Sequence, residues 1–141
     1  MAEEEGLDLE IAWMNLHELR SVMGHGARVA HLGGRPTVMA NHLVDATDNR
    51  GLAALVRFAR MSLSGGGRFY ADFLFAVPGS APARGSDRLR PVEVGTVARA
   101  LNDGGAVIVH SAQVMQEKTS GPGETAGLDR PVARMVAEWR R

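Results

Sequence analysis

One stretch does most to limit the folds open to this chain. Residues Arg35 to Val77 read "RPTVMANHLVDATDNRGLAALVRFARMSLSGGGRFYADFLFAV". "TVMANHLV", Thr37 to Val44, is a nearly unbroken apolar run, which suits a parallel strand buried on both faces. Thr47 or Asp48 then offers a side-chain oxygen to cap a helix. Leu52, Leu55, Val56, Ala59 and Leu63 recur at the spacing of one helical face. Gly65, Gly66 and Gly67 end that helix, and "RFYADFLFAV", Arg68 to Val77, returns as a strand. Strand, helix and strand in this order call for an α/β fold built on a parallel crossover.

The flanks extend the pattern. Glu3 to Glu5 with Gly6 read as the last turn of a helix. In "LDLEIAWM", Leu7 to Met14, the residues Leu7, Leu9, Ile11 and Trp13 alternate with Asp8, Glu10 and Ala12, as in a strand with one buried face. Leu16, Leu19 and Met23 predict a short helix ending near Gly24 or Gly26. Residues 78–90 and 117–130 are rich in Pro, Gly and polar side chains and predict two exposed, mobile loops. Pro91 opens a helix with Val94, Val97, Ala98 and Leu101 on its apolar face and "NDGG" as its stop. "AVIVHSAQVM" is a further strand. The tail "PVARMVAEWRR" fits either a helical or a strand period.

Composition narrows the function classes. The chain has 141 residues, enough for one domain, and 45% of them are hydrophobic. Its formal charge is zero, so the basic face that nucleic acid needs is not indicated. With no cysteine, disulfides, thiolate catalysis and cysteine-based zinc sites are excluded. The start "MAEEEGLDLE" is acidic, unlike a secretory leader, and no apolar run reaches membrane-spanning length. A cytoplasmic protein without a membrane or nucleic-acid partner is expected.

The segments together resemble the C-terminal half of a class I S-adenosylmethionine-dependent methyltransferase. "ANHLVDATDNRGLAALVRFARMSLSGGGRFYADF" is similar to that family's fourth strand, the helix after it, and its fifth strand. "VEVGTVARALNDGGAVIVHSAQVM" is similar to the next helix and sixth strand. The resemblance implies that the tail, Pro131 to Trp139, is the seventh strand, antiparallel to the sixth. It also implies that "EEEGLDLEIAWMNL" supplies the end of the second helix and the third strand. The expected fold is thus α/β, a truncated Rossmann-like sheet of strands corresponding to 3, 4, 5, 7 and 6 with flanking helices. The family's first strand with its glycine-rich loop, its first helix, and its second strand with a ribose-binding carboxylate have no counterpart.

Candidate site residues follow from the resemblance, each beside a plainer reading. Asn15 and the Leu16 backbone correspond to adenine contacts, although Asn15 also suits a helix N-cap. Asn41 lies on the cofactor side of the fourth strand. His42 is a candidate general base, or else a hydrogen-bonded histidine at a strand end. Asp45 is expected only to cap a turn. Asp72 matches an acidic position in family members and is a candidate substrate contact, or else forms an ion pair with Arg68, which even spacing puts on the same strand face. Gly65 to Gly67 precede a strand, at the edge opposite the ligand side, and read as a turn. "GHG", Gly24 to Gly26, is a weak phosphate-loop match. The five histidines form no metal-binding pattern, and no metal is expected.

Family sheets run in the order 3-2-1-4-5-7-6. Without the first two strands, 4-5-7-6 stays contiguous and the fourth strand gains a bare edge. Such an edge templates association. Self-association, a protein partner, or the third strand moving in beside the fourth is expected. Loss of the ribose carboxylate and glycine loop should weaken S-adenosylmethionine binding by orders of magnitude. The chain is therefore expected to be a weak or silent methyltransferase acting on a small molecule only when completed. The alternatives are an assembly subunit docking through its sheet edge, or a piece of a longer product.

Overall fold

In the computed structural model of the chain, the described residues are 9–76, 90–116 and 130–139. The alternation in "RFYADFL" sets the layers. Along β2, Arg68–Leu74, the side chains of Phe69, Ala71 and Phe73 are buried, while those between them are exposed or half-buried. A two-residue period of this kind gives a strand one covered face and one open face.

Upstream lie α1, Leu19–His31, and β1, Thr37–Asn41. A single 3-10 turn, Val44–Ala46, leads to α2, Asn49–Ser62. After β2 come α3, Val94–Asp103, then β3, Ala106–Gln116, and β4, Arg130–Trp139. The sheet order is β1-β2-β4-β3, with β1 parallel to β2 and β4 antiparallel to both neighbours. This is the order 4-5-7-6 expected from the sequence, and the tail is a strand.

The helix α2 begins where Asp48 caps it: its Oδ1 accepts the Gly51 N–H at 2.8 Å. Leu52, Leu55, Val56 and Ala59 then point into one core with Ala40, Phe69, Ala71 and Phe73. Val97 and Leu101 of α3 complete that side, and both are fully buried. The glycine turn that follows α2 is dictated by space. Gly67 has φ +121°, and a Cβ there would lie 2.1 Å from the Pro36 carbonyl oxygen. At the end of β4, Trp139 donates its indole N–H to the Gly104 carbonyl at 2.8 Å and meets Phe69 edge-to-face.

Several expectations are corrected. Residues 9–14 form no strand; Leu9, Ile11 and Trp13 are 71%, 83% and 94% exposed. Alternation provides an apolar face, but a strand forms only where an edge pairs with it, and among the described residues β1 is bonded to β2 alone. The third strand does not move in beside β1. The helix expected to stop near Gly24 or Gly26 runs through both to His31. It packs on α2, where Gly26 gives way to Met61. The run from Thr37 is not covered on both faces, since Met39 is 75% exposed. Strand geometry ends at Asn41 and not at Val44. The expected helix remnant before Gly6 lies outside the described residues, as does nearly all of the two loops expected at 78–90 and 117–130. Arg130, expected to close the second loop, opens β4.

Among the described residues, no helix is long and apolar enough to cross a membrane.

Candidate functional site

Register across the sheet builds the site. Asn41 of β1 stands beside Asp72 of β2, Asp72 beside Arg134 of β4, and Arg134 beside Ala112 of β3. The four therefore form one row on the face opposite the buried Ala40, Ala71, Ala133 and Met135. The row crosses the sheet near the carboxyl ends of β1 and β2, the end at which open α/β sheets hold ligands. A cavity of about 560 Å³ opens over it, bordered also by His42, His110 and the apolar side chains of Val114 and Val132.

Within this cavity Asp72 and Arg134 form a two-pronged pair. Arg134 Nε donates to Oδ1 at 2.8 Å and Nη2 to Oδ2 at 3.2 Å. The hydrogen bonds, and secondarily the Asp72 charge, raise the guanidinium above the ordinary arginine range. The expected pairing of Asp72 with Arg68 is absent; Arg68 lies 3.6 Å from Glu138 instead. Arg68 lies four residues from Asp72 along the same strand, about 13 Å at the extended rise per residue, whereas Arg134 is directly opposite Asp72, so cross-strand register wins.

His42 ends β1. Its backbone N–H donates to the Asp72 carbonyl at 2.8 Å, and its Nδ1 lies 2.8 Å from Asp45 Oδ2. Asp45 does more than cap a turn. It is fully buried, and the same oxygen accepts the Leu74 N–H at 2.8 Å. Its own carbonyl accepts the Arg90 N–H, and Arg90 in turn donates to the Thr47 carbonyl at 2.9 Å. The turn after β1 is thereby tied both to the end of β2 and to the chain that enters α3.

Of the sequence candidates, Asn41, His42 and Asp72 share one cavity; Asn15 and Leu16 do not. Leu16 borders a separate hollow of about 300 Å³ beside α2, with His17, Arg50 and Arg57. Asn15 is exposed and shapes the turn before α1: its Oδ1 accepts the His17 N–H at 3.0 Å and its carbonyl accepts the Glu18 N–H. It does not cap α1, whose N-cap residue is Glu18. Arg134 and His110 were not singled out as acceptor-side residues from sequence, because only the hairpin register brings them in. The two-residue alternation of the tail was the available signal for Arg134.

The residues bordering the cavity are a poor match for a nucleoside. Among the described residues, neither nearby carboxylate is free for a ribose diol: Asp72 is held by Arg134, and Asp45 by His42 and Leu74. Gly65 to Gly67 lie between α2 and the start of β2, at the other end of the sheet. The residues present thus do not by themselves fit S-adenosylmethionine. No three His, Asp or Glu side chains gather as a metal site among the described residues.

Comparison with solved structures identifies the fold. An S-adenosylmethionine-dependent methyltransferase from Anabaena variabilis matches 99% of this chain and 63% of its own, with a TM-score of 0.65 at 13% identity. A second from Methanosarcina mazei matches 79% of this chain and 64% of its own, with a TM-score of 0.55 at 11% identity. The glycopeptide N-methyltransferase MtfA, solved with S-adenosylmethionine, matches 76% of this chain and 55% of its own, with a TM-score of 0.50 at 15% identity. The chain has a class I S-adenosylmethionine-dependent methyltransferase-like fold. It spans less than two thirds of the length of each of these three proteins. No protein-family model matches the sequence, and no curated protein is recognisably similar to it.

Proposed function

We propose that this chain is the acceptor-side portion of an S-adenosylmethionine-dependent methyltransferase. It is weak or inactive alone, and it methylates a small molecule once another stretch of polypeptide supplies the nucleoside-gripping part. One observation carries the reading: Asn41, His42 and Asp72 meet in a single cavity at the carboxyl ends of β1 and β2, in a fold whose relatives are methyltransferases. A cysteine-free chain of this kind suits a reducing cytoplasm.

Titration calorimetry with S-adenosylmethionine tests it. The lone chain is expected to show no micromolar binding. A polypeptide carrying a glycine-rich strand–loop–helix unit and an acidic ribose-binding residue is expected to restore binding when mixed with it. Micromolar binding by the lone chain would remove the need for completion. Absence of binding in the completed assembly would remove the methyltransferase reading itself.

A second reading, an assembly subunit, is favoured by the β1 edge. Among the described residues that edge has no partner strand, and Met39 on it is 75% exposed. Open strand edges recruit strands from other chains. Light scattering at micromolar concentration is expected to show a mass above one chain, and a stable single-chain mass would count against self-association.

A further inference from the structure

His42 holds an unusual backbone conformation. Its φ is +54°, the left-handed region, and no other non-glycine residue among those described lies there. A side chain with a Cβ adopts this conformation at a cost, so something must hold it. Two bonds do so: the N–H to the Asp72 carbonyl, and Nδ1 to the Asp45 carboxylate, each 2.8 Å. The carboxylate is wholly buried, while the imidazole is one-third exposed (33%) toward the cavity.

The geometry points to His42 and Asp45 as a proton-accepting dyad, serving a weakly acidic hydroxyl on a small molecule held in the 560 Å³ cavity. His42 is the base and Asp45 the positioning residue. Asp45 Oδ2 already accepts the Leu74 N–H, so it acts as an acceptor toward Nδ1 as well. The Nδ1 proton therefore lies between the ring and Asp45, and Nε2 keeps its lone pair on the ring's other edge. Asp45 Oδ1 has no hydrogen-bond partner among the described residues, which leaves the imidazole and the Leu74 amide as the groups bonded to this buried carboxyl.

The step is a proton transfer and nothing more. The hydroxyl O–H bond breaks, its electron pair stays on oxygen, and a new N–H bond forms at Nε2. The imidazolium so produced faces the Asp45 carboxylate, which stabilises it. Ala112, Val114 and Val132 offer the apolar wall for the body of the molecule. Among the described residues, Asp72, Arg134 and His110 are the other charged or titratable side chains bordering the same space, and the first two are engaged with each other. The inference deepens the acceptor-side reading and rests on it for the molecule that gives up the proton.

The test needs no methyl donor. In the ¹⁵N-labelled full chain, long-range ¹H–¹⁵N spectra at mildly alkaline pH report the tautomer of each neutral imidazole, with His42→Gln assigning the signal. Neutral His42 is expected as the Nδ1–H tautomer. Asp45→Asn is expected to move the population toward Nε2–H. The same variant should slow carbethoxylation of His42 by diethyl pyrocarbonate several-fold, read by peptide mass spectrometry, while exposed His17 reacts unchanged. An Nε2–H tautomer in the wild type overturns the dyad, as does an Asp45→Asn variant that alters neither readout. If Asp45→Asn does not fold, the wild-type tautomer alone decides. Failure of the completed assembly to bind S-adenosylmethionine would overturn the methyl-acceptor reading and leave the dyad intact.

Discussion

Asp72 and Arg134 face one another across β2 and β4, and the guanidinium grips the carboxylate with two nitrogens, at 2.8 and 3.2 Å. The pair lies on the open face of the sheet, with side chains 27% and 62% exposed. Water and salt screen charges placed so, and the net contribution of such pairs to folding is small. Arg134→Gln is therefore expected to leave the thermal midpoint nearly unchanged, with less difference still at high salt. A large loss in the melting curve would show that the pair braces the β2–β4 seam.

The cap on α2 makes stability depend on pH. The Gly51 N–H bond holds the Asp48 carboxyl below its ordinary value, ahead of smaller attractions from His17 and Arg50. A carboxyl depressed in the folded state stabilises that state above its unfolded pKa. The contribution disappears as pH falls through the folded value. Asp48→Ala should lower the melting temperature at neutral pH, and the gap between variant and wild type should close as the pH is taken below the ordinary carboxylate value of 3.8. Melts across that range check both the sign and the window.

Two glycines in α1 should respond oppositely to alanine. Nothing lies within 4 Å of a Cβ built at Gly24, so Gly24→Ala should stabilise the chain by about 0.5–1 kcal/mol through lower unfolded-state entropy. At Gly26 the added carbon would lie 2.9 Å from both Cβ and Cγ of Met61. Gly26→Ala should push α1 off α2 and lose stability despite the better helix propensity. Urea denaturation of the two variants side by side measures the contrast.

The turn before β2 has no room for a side chain. Gly67 has φ +121°, and a Cβ there would meet the Pro36 carbonyl oxygen at 2.1 Å and Leu63 Cδ2 at 2.8 Å. Backbone strain of this kind costs on the order of 1–3 kcal/mol before the clash is added. Gly67→Ala should therefore be poorly folded, seen as a lost cooperative transition in circular dichroism. A normal transition would show that the entry into β2 can shift.

Much of this protein is written locally. The apolar stripe Leu52, Leu55, Val56, Ala59 repeats with the helical period, Asp48 stands where a cap is needed, and Phe69, Ala71 and Phe73 alternate as a half-covered strand must. These signals survive in sequence because each depends on residues a few positions apart. The strand order was also legible, through the resemblance of consecutive segments to a known sheet. Other features were not. Leu9, Ile11 and Trp13 carry a strand's alternation yet stay exposed, since a strand exists only where a second backbone satisfies its hydrogen bonds. The joint placement of Asn41, His42 and Asp72 could be anticipated; the separation of Asn15 and Leu16 from them could not.

The sequence by itself determined α2, α3 and β2 and which side of each is apolar, because periodicity and capping are short-range. Only the tertiary structure decided that Asp72 takes Arg134 and not Arg68, and that Asp45 is buried beneath His42 with the Leu74 amide. Those choices join Asp72 to Arg134 across two strands, 62 residues apart, and the turn at Asp45 to Leu74 of β2, 29 residues apart. Register is fixed by the packing of the whole sheet, not by any stretch of it.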